Sequence, residues 1–215
     1  CGAGGGGGVF DEPTIQLAIE RASDGQKNVP VTPSEPAKII ITTTTNDLVS
    51  LTTTVGTLSK SSIAPVNGRA EVLLSVSLDD TNDGQITATQ PDGTSGTLAF
   101  SIGAVNLALG NTAGGPFVNG QLAIGQSTLS PGGTTQISAT IWDNGTSQPY
   151  FQPINVSFTS TCIATGKSTI SSPILAVNGV ANTTYKAVSC QGSDIVTASI
   201  SVGGTLKSAT GTINF

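Results

Sequence analysis

The sequence contains no histidine and no methionine, and it is poor in aromatic and charged residues, at 4% and 10%. Without an imidazole there is no Ser-His-Asp triad, no histidine general base and no ordinary zinc or haem site. The 8 Lys and Arg against 13 Asp and Glu give a net charge of −5. No basic cluster offers a face for nucleic acid, which excludes that partner. No window approaches the ~20 consecutive apolar residues of a membrane-spanning helix. Long surface helices are also disfavoured, because runs rich in Glu, Lys, Arg and Ala are missing. What remains is a chain of 215 residues dominated by Ser, Thr, Val, Ile and Gly. That length suits one or two domains, and that composition suits short strands joined by turns.

The first residues are Cys1-Gly2-Ala3, followed by five glycines, Gly4 to Gly8. This beginning resembles a bacterial lipoprotein, in which a signal peptide is cut before a Cys that is then acylated. The resemblance implies lipidation at Cys1, processing that removed the initiator Met, and sorting to the outer membrane or cell surface. Several acyl chains, at ~0.8 kcal/mol per buried methylene, would hold the protein at a bilayer. Residues 1–11 are expected to act as a glycine-rich tether.

The rest of the chain repeats itself. Gln16-Leu17-Ala18-Ile19 recurs as Gln121-Leu122-Ala123-Ile124, and Val66-Asn67-Gly68-Arg69-Ala70 as Val177-Asn178-Gly179-Val180-Ala181. Ile86-Thr87-Ala88-Thr89 recurs as Val196-Thr197-Ala198-Ser199. Ser95-Gly96-Thr97 answers Thr210-Gly211-Thr212, an offset of 115 from the numbering (210 − 95). Two copies of one module follow, at 12–103 and 104–215. Residues 69–78 place Ala70, Val72, Leu74, Val76 and Leu78 at every second position, a period of two that marks a strand with one buried face. Residues 134–142 set Ile137, Ala139 and Ile141 against Gln136, Ser138 and Thr140, and Ile154, Val156 and Phe158 form the next inward row. Asn67-Gly68 and Asn178-Gly179 are hairpin-turn pairs.

The second copy carries Pro131-Gly132-Gly133-Thr134-Thr135, then Val156-Ser157-Phe158-Thr159-Ser160, the Val-Asn-Gly-x-Ala turn, a Val-Thr-Ala strand and a final Thr-Gly-Thr strand. In this order the segments resemble the bacterial Ig-like domains of intimin and invasin type. The resemblance implies an all-β chain of two tandem immunoglobulin-like β-sandwich domains. The first copy is about a dozen residues shorter where the second has residues 144–153. It is therefore expected to lack a strand or hairpin there and to leave a sheet edge less covered.

Cys162 and Cys190 lie 28 positions apart in the second copy. Export into an oxidising compartment favours a structural disulfide between them, with a redox pair or two free thiols as the alternatives. Asp79-Asp80-Thr81-Asn82-Asp83-Gly84 loosely follows a calcium loop, but Thr81 and Gln90 stand where ligands belong, and a turn is favoured. No metal or cofactor is expected. Glu12, Glu20, Glu35 and Glu71 are scattered, without the paired spacing of a glycosidase. Trp142, Tyr150 and Phe151 form the one aromatic cluster. Trp142 is expected in the sandwich core, with Tyr150 and Phe151 over a loop; the three together are the candidate interaction loop.

These features imply a non-enzymatic cell-surface lipoprotein, acting in adhesion or as a structural spacer. Its partners would be the membrane through Cys1 and other surface proteins or a host or matrix ligand. The alternative is a homopolymeric extracellular filament, built by strand donation from residues 9–19 or 210–215. A carbohydrate-active module is the least favoured class.

Overall fold

The computed structural model describes residues 12–215; Cys1 and the glycine run lie outside the described residues. The chain divides into two compact units, one ending at Ala104 and the other spanning Val105–Phe215.

The first unit contains β1 (Ile15–Arg21), β2 (Ala37–Thr43), β3 (Val49–Thr53), β4 (Thr57–Leu58), β5 (Ser62–Ile63), β6 (Arg69–Ser75), β7 (Gly84–Thr89) and β8 (Ser95–Phe100). They form two sheets, ordered β1-β2-β6-β4 and β5-β3-β7-β8. Alternation decides what each sheet buries. Ile39 and Ile41 of β2 and Val72 and Leu74 of β6 meet Val49 and Leu51 of β3 and Ile86 and Ala88 of β7 in one apolar core. This is the A-B-E-D against C-F-G arrangement of an immunoglobulin-like sandwich. The alternation of residues 69–78 predicts a strand over that whole segment; pairing stops at Ser75, although Val76 stays buried.

The second unit contains β9 (Leu107–Asn111), β10 (Val118–Asn119), β11 (Ala123–Ile124), β12 (Thr134–Asp143), β13 (Gln148–Pro149), β14 (Asn155–Thr159), a one-turn helix α1 (Thr161–Ala164), β15 (Ser168–Ile170), β16 (Ile174–Leu175), β17 (Val180–Ala187), β18 (Ser193–Val202) and β19 (Thr205–Asn214). Its sheets follow β9-β12-β17-β15 and β16-β14-β18-β19, the same order as in the first unit. Both Asn-Gly pairs form the tight turns expected of them. Asn67 and Asn178 have φ of 53° and 51°, and each turn is closed by a bridge, Val66 to Arg69 and Val177 to Val180.

Strand register makes the equivalence residue by residue. Ile19 lies opposite Ile39 and Ile124 opposite Ile137, so the Ala18-Ile19 and Ala123-Ile124 match is structural. Two residues before Ala18, Gln16 faces Thr42, and at the equivalent position Gly110 faces Thr140. The single residue Leu17 of β1 is thus replaced by residues 111–122, and the first strand of the second unit is split into β9 and β11 by an excursion that carries β10. The 115 offset at the last strand is corrected: Thr97 faces Thr87 and Thr210 faces Thr197, an offset of 113 (210 − 97). The sequence match slipped by two residues because a shift of two keeps the same face toward the core.

The shorter first unit lacks the β12–β13 hairpin, in which Trp142 and Asp143 pair with Pro149 and Gln148. The edge expected to be bare is nevertheless occupied: β4 and β5 sit at the edges that β15 and β16 occupy in the second unit. Two segments expected as strand donors are also engaged. Residues of β1 pair along β2, and β19 pairs along its whole length with β18.

Candidate functional site

The aromatic hairpin does not form an open platform. Trp142 follows the parity of Ser138 and Thr140, so it lies on the outer face of its sheet, half-buried, rather than in the core. The alternation of residues 134–142 already put it there; aromatic size was the misleading signal. Phe117, from the excursion, covers it with ring centroids 4.9 Å apart and planes 5° apart. Tyr150 is the core residue, 1% exposed, with its hydroxyl 3.3 Å from Gln152 Oε1. Burial, with the nearby Asp143 carboxylate, pushes its hydroxyl up to about 12. Phe151 is exposed and lies 6.2 Å from the Tyr150 ring.

At the other end of the second sandwich, Cys162 and Cys190 form a disulfide with Cα atoms 5.8 Å apart. Beside it is a buried polar centre that sequence reasoning missed. Asp194, 2% exposed, accepts from the Ser160 hydroxyl at 2.6 Å, the Tyr185 hydroxyl at 2.7 Å and the Cys162 N–H at 3.2 Å. Ser160 also accepts from Ile163 N–H and caps α1. Tyr185 is fully buried, with Ser168 Oγ 2.6 Å from its hydroxyl. Burial and the adjacent Asp194 charge raise the Tyr185 hydroxyl to about 12, against the opposing Ser168 contact. The signal was available: Tyr185 shares the inward parity of Ala181 and Thr183, and Asp194 that of Val196 and Ala198. The first unit fills these positions differently. By register Asp194 corresponds to Gly84, Tyr185 to Leu74 and Ile213 to Phe100, so an apolar packing stands in place of the polar centre.

Several other charged residues serve as local ties. Asp80 Oδ2 accepts from the Ser77 N–H at 2.8 Å, as a turn requires, and Asp83 Oδ1 accepts from the Ile102 N–H at 3.2 Å, tying this segment to the residue after β8. Glu20 and Glu71 flank Lys38 at 3.0 and 3.9 Å, and Arg69 meets Glu71 at 2.8 Å. Hydrogen bonding from Arg69 holds the Glu71 carboxyl below its usual range. Glu35 pairs with Arg21 at 3.4 Å. Cys162, Cys190 and Asp194 bring their ligand-type atoms within 4.8 Å of one another, but the disulfide ties up both sulfurs. Cys1, the expected lipidation site, and residues 9–11 lie outside the described residues.

One surface is common to both units. On the outer face of the first, Ser50, Thr89 and Ser95 form one cross-strand row and Thr52, Thr87 and Thr97 the next. In the second, the equivalent rows are Ser157, Ser199, Ser208 and Thr159, Thr197, Thr210. Every position in both grids is Ser or Thr. The central-strand members are half-buried and the others exposed. Sheet geometry sets these residues ~4.8 Å apart across strands and ~6.7 Å apart along them. The grids are uncharged, whereas the opposite sheet of the first unit displays Glu20, Lys38, Arg69 and Glu71.

No family model matches the sequence, and no curated protein matches it. Solved structures similar to the chain include the D0–D1 domain of intimin, at 15% identity, covering 93% of this chain and 100% of that one, with a TM-score of 0.35. The Yersinia pseudotuberculosis adhesin InvE is 14% identical, covering 99% of this chain and 62% of that one, with a TM-score of 0.47. A β-glycosidase from Bacteroides vulgatus is 13% identical, and the match covers 95% of this chain but only 25% of that one, with a TM-score of 0.35. Among the described residues, no helix is long and apolar enough to cross a membrane.

Proposed function

We propose that the chain is a non-enzymatic cell-surface module that acts in adhesion or as a spacer, and that the shared hydroxyl grid is its contact surface. The observation that supports this reading is the grid itself. Two copies that differ in their first strand, their loops and the polar filling of one pole keep Ser or Thr at all corresponding grid positions. A hydroxyl both donates and accepts, so an uncharged grid suits neutral, hydrogen-bonding surfaces. The buried ionisable groups support it too, since Asp194, Tyr185 and Tyr150 are tied to structural partners. A carbohydrate-active role loses its aromatic platform, because Tyr150 is buried and Trp142 is covered by Phe117. In the filament reading, donation by residues 15–19 or 210–214 would compete with the pairings that β1 and β19 make within their own units. Lipid attachment at Cys1 through the glycine-rich tether is part of the same proposal.

The test is retention of beads coated with the purified chain on films of neutral polysaccharide, charged polysaccharide and matrix protein, beside turnover assays with chromogenic glycosides and peptides. Retention above bare beads, strongest on an uncharged film, is the expected result. Turnover of any substrate by the pure chain would overturn the reading. Radiolabelled palmitate incorporation that disappears in Cys1→Ser tests the tether separately.

A further inference from the structure

The disulfide of the second sandwich has an unusual neighbour. Asp194 is buried within 4.8 Å of both sulfurs, and its carboxylate is fixed by Ser160, Tyr185 and the Cys162 N–H. A pocket of 420 Å³ opens above it, walled by Cys162, Asp194, Thr161, Thr165 and Lys167, and Cys190 is not among its walls. Of the two cysteines, Cys162 is the one on the pocket wall and the less buried, so attack is assigned to its sulfur. The positive group at this entrance, Lys167, is exposed and screened by water, while Asp194 is not.

We propose that Asp194 is an electrostatic guard of the disulfide, slowing thiol exchange by repelling the negative charge that the reaction brings to Cys162 and Cys190. In the exchange, an external thiolate attacks Cys162 Sγ and forms a new S–S bond. The Cys162–Cys190 bond breaks, and its electron pair leaves on Cys190 Sγ as a thiolate. With a dithiol reductant, its second thiolate then displaces Cys162. The reductant ends as a disulfide, and the protein has gained two electrons, with protons supplied by the buffer. Negative charge is spread over three sulfurs in the first transition state, beside a carboxylate that cannot move away. At this separation inside a protein, like charges interact strongly enough to change a rate by tenfold or more. The first unit has no counterpart of this disulfide, and by register Gly84 occupies the position of Asp194. Guard and disulfide thus occur together.

The experiment uses the full oxidised chain and follows thiol appearance by maleimide trapping and mass spectrometry at fixed pH. With dithiothreitol, Asp194→Asn is expected to be reduced at least tenfold faster than wild type. Ser160→Ala, which keeps the carboxylate, is expected within threefold of wild type. With a neutral phosphine, tris(hydroxypropyl)phosphine, the attacking group carries no charge, and the Asp194→Asn acceleration should shrink. Equal acceleration with both reductants would mean that the variant merely opened the pocket, and the guard would be refuted. A second measurement needs no variant. Cationic cysteamine should gain at least fivefold on anionic mercaptopropionate when wild type is native rather than unfolded in guanidinium. A ratio unchanged by unfolding would overturn the proposal.

Discussion

Gly84 and Phe100 face each other across β7 and β8, and the second unit places Asp194 opposite Ile213 at the same register. A Cβ on Gly84 would overlap Phe100 Cζ and come within 2.8 and 2.9 Å of Cε1 and Cε2. Phe100 is 6% exposed and part of the core, so its ring cannot swing into solvent without giving up buried area. Gly84→Ala alone should therefore destabilise the first unit by ~1–3 kcal/mol, the usual cost of overpacking. Phe100→Ile alone removes core volume and should cost ~1–2 kcal/mol, less than a full truncation to Ala. Together they recreate the smaller side chain that the second unit sets opposite a residue with a Cβ. The double variant should then recover ~1–2 kcal/mol relative to the sum of the two. Urea unfolding of the four proteins measures this coupling, provided the transition of the first unit is resolved from that of the second. Additivity within ~0.5 kcal/mol would show that the two sites do not share this space and would refute the register equivalence at this pole.

Replacing Cys162 and Cys190 by Ala together opens a 28-residue loop and should cost the second unit about 3.6 kcal/mol in chain entropy, read from its urea midpoint; a loss under ~1 kcal/mol would contradict the estimate. Gly179→Ala places a methyl 2.9 Å from the Tyr150 carbonyl oxygen at φ +82°, and a drop of ~1–3 kcal/mol is expected in the same assay. Tyr150 and Tyr185 should remain protonated until pH approaches 12, as followed by phenolate absorbance. Their folded values lie above the unfolded value near 10, so the stability they hold below pH 10 falls between pH 10 and 12. Ionisation of both at pH 10 with retained far-UV dichroism would contradict the burial. Phe117→Ala should uncover Trp142, shifting its fluorescence to the red and costing ~0.5–1.5 kcal/mol from the lost stack.

Much of the architecture was legible because a strand's period of two is visible in residue types. The inward rows Ala70, Val72, Leu74 and Ile137, Ala139, Ile141 are buried as their alternation requires. The Asn-Gly turns were equally readable, since few residues other than Asn and Gly tolerate the positive φ of a two-residue hairpin. The split first strand was not readable, because residues 111–122 return to the same register and leave the Ala-Ile match looking continuous. Trp142 was misjudged by size when parity would have placed it outside. The polar centre escaped because Tyr185, Ser160 and Asp194 come from three separate segments, and only the fold brings a carboxylate to the two hydroxyls. The hydroxyl grid escaped for a different reason. Ser and Thr in alternate positions look like ordinary solvent-facing strand residues until register aligns the two copies.

That grid is the most direct test of what the protein does. Thr87→Lys and Thr197→Lys each place one charge at the half-buried centre of a grid, on the outer face of a strand whose opposite face holds the core, so the fold should survive; far-UV dichroism and urea midpoints verify it. Bead retention on the uncharged film that best holds wild type should fall at least fivefold in the double variant, while Ile40→Lys, on the other sheet of the first unit, leaves it unchanged. Retention by the Thr87→Lys/Thr197→Lys protein equal to wild type would contradict the account of the hydroxyl grid as the contact surface.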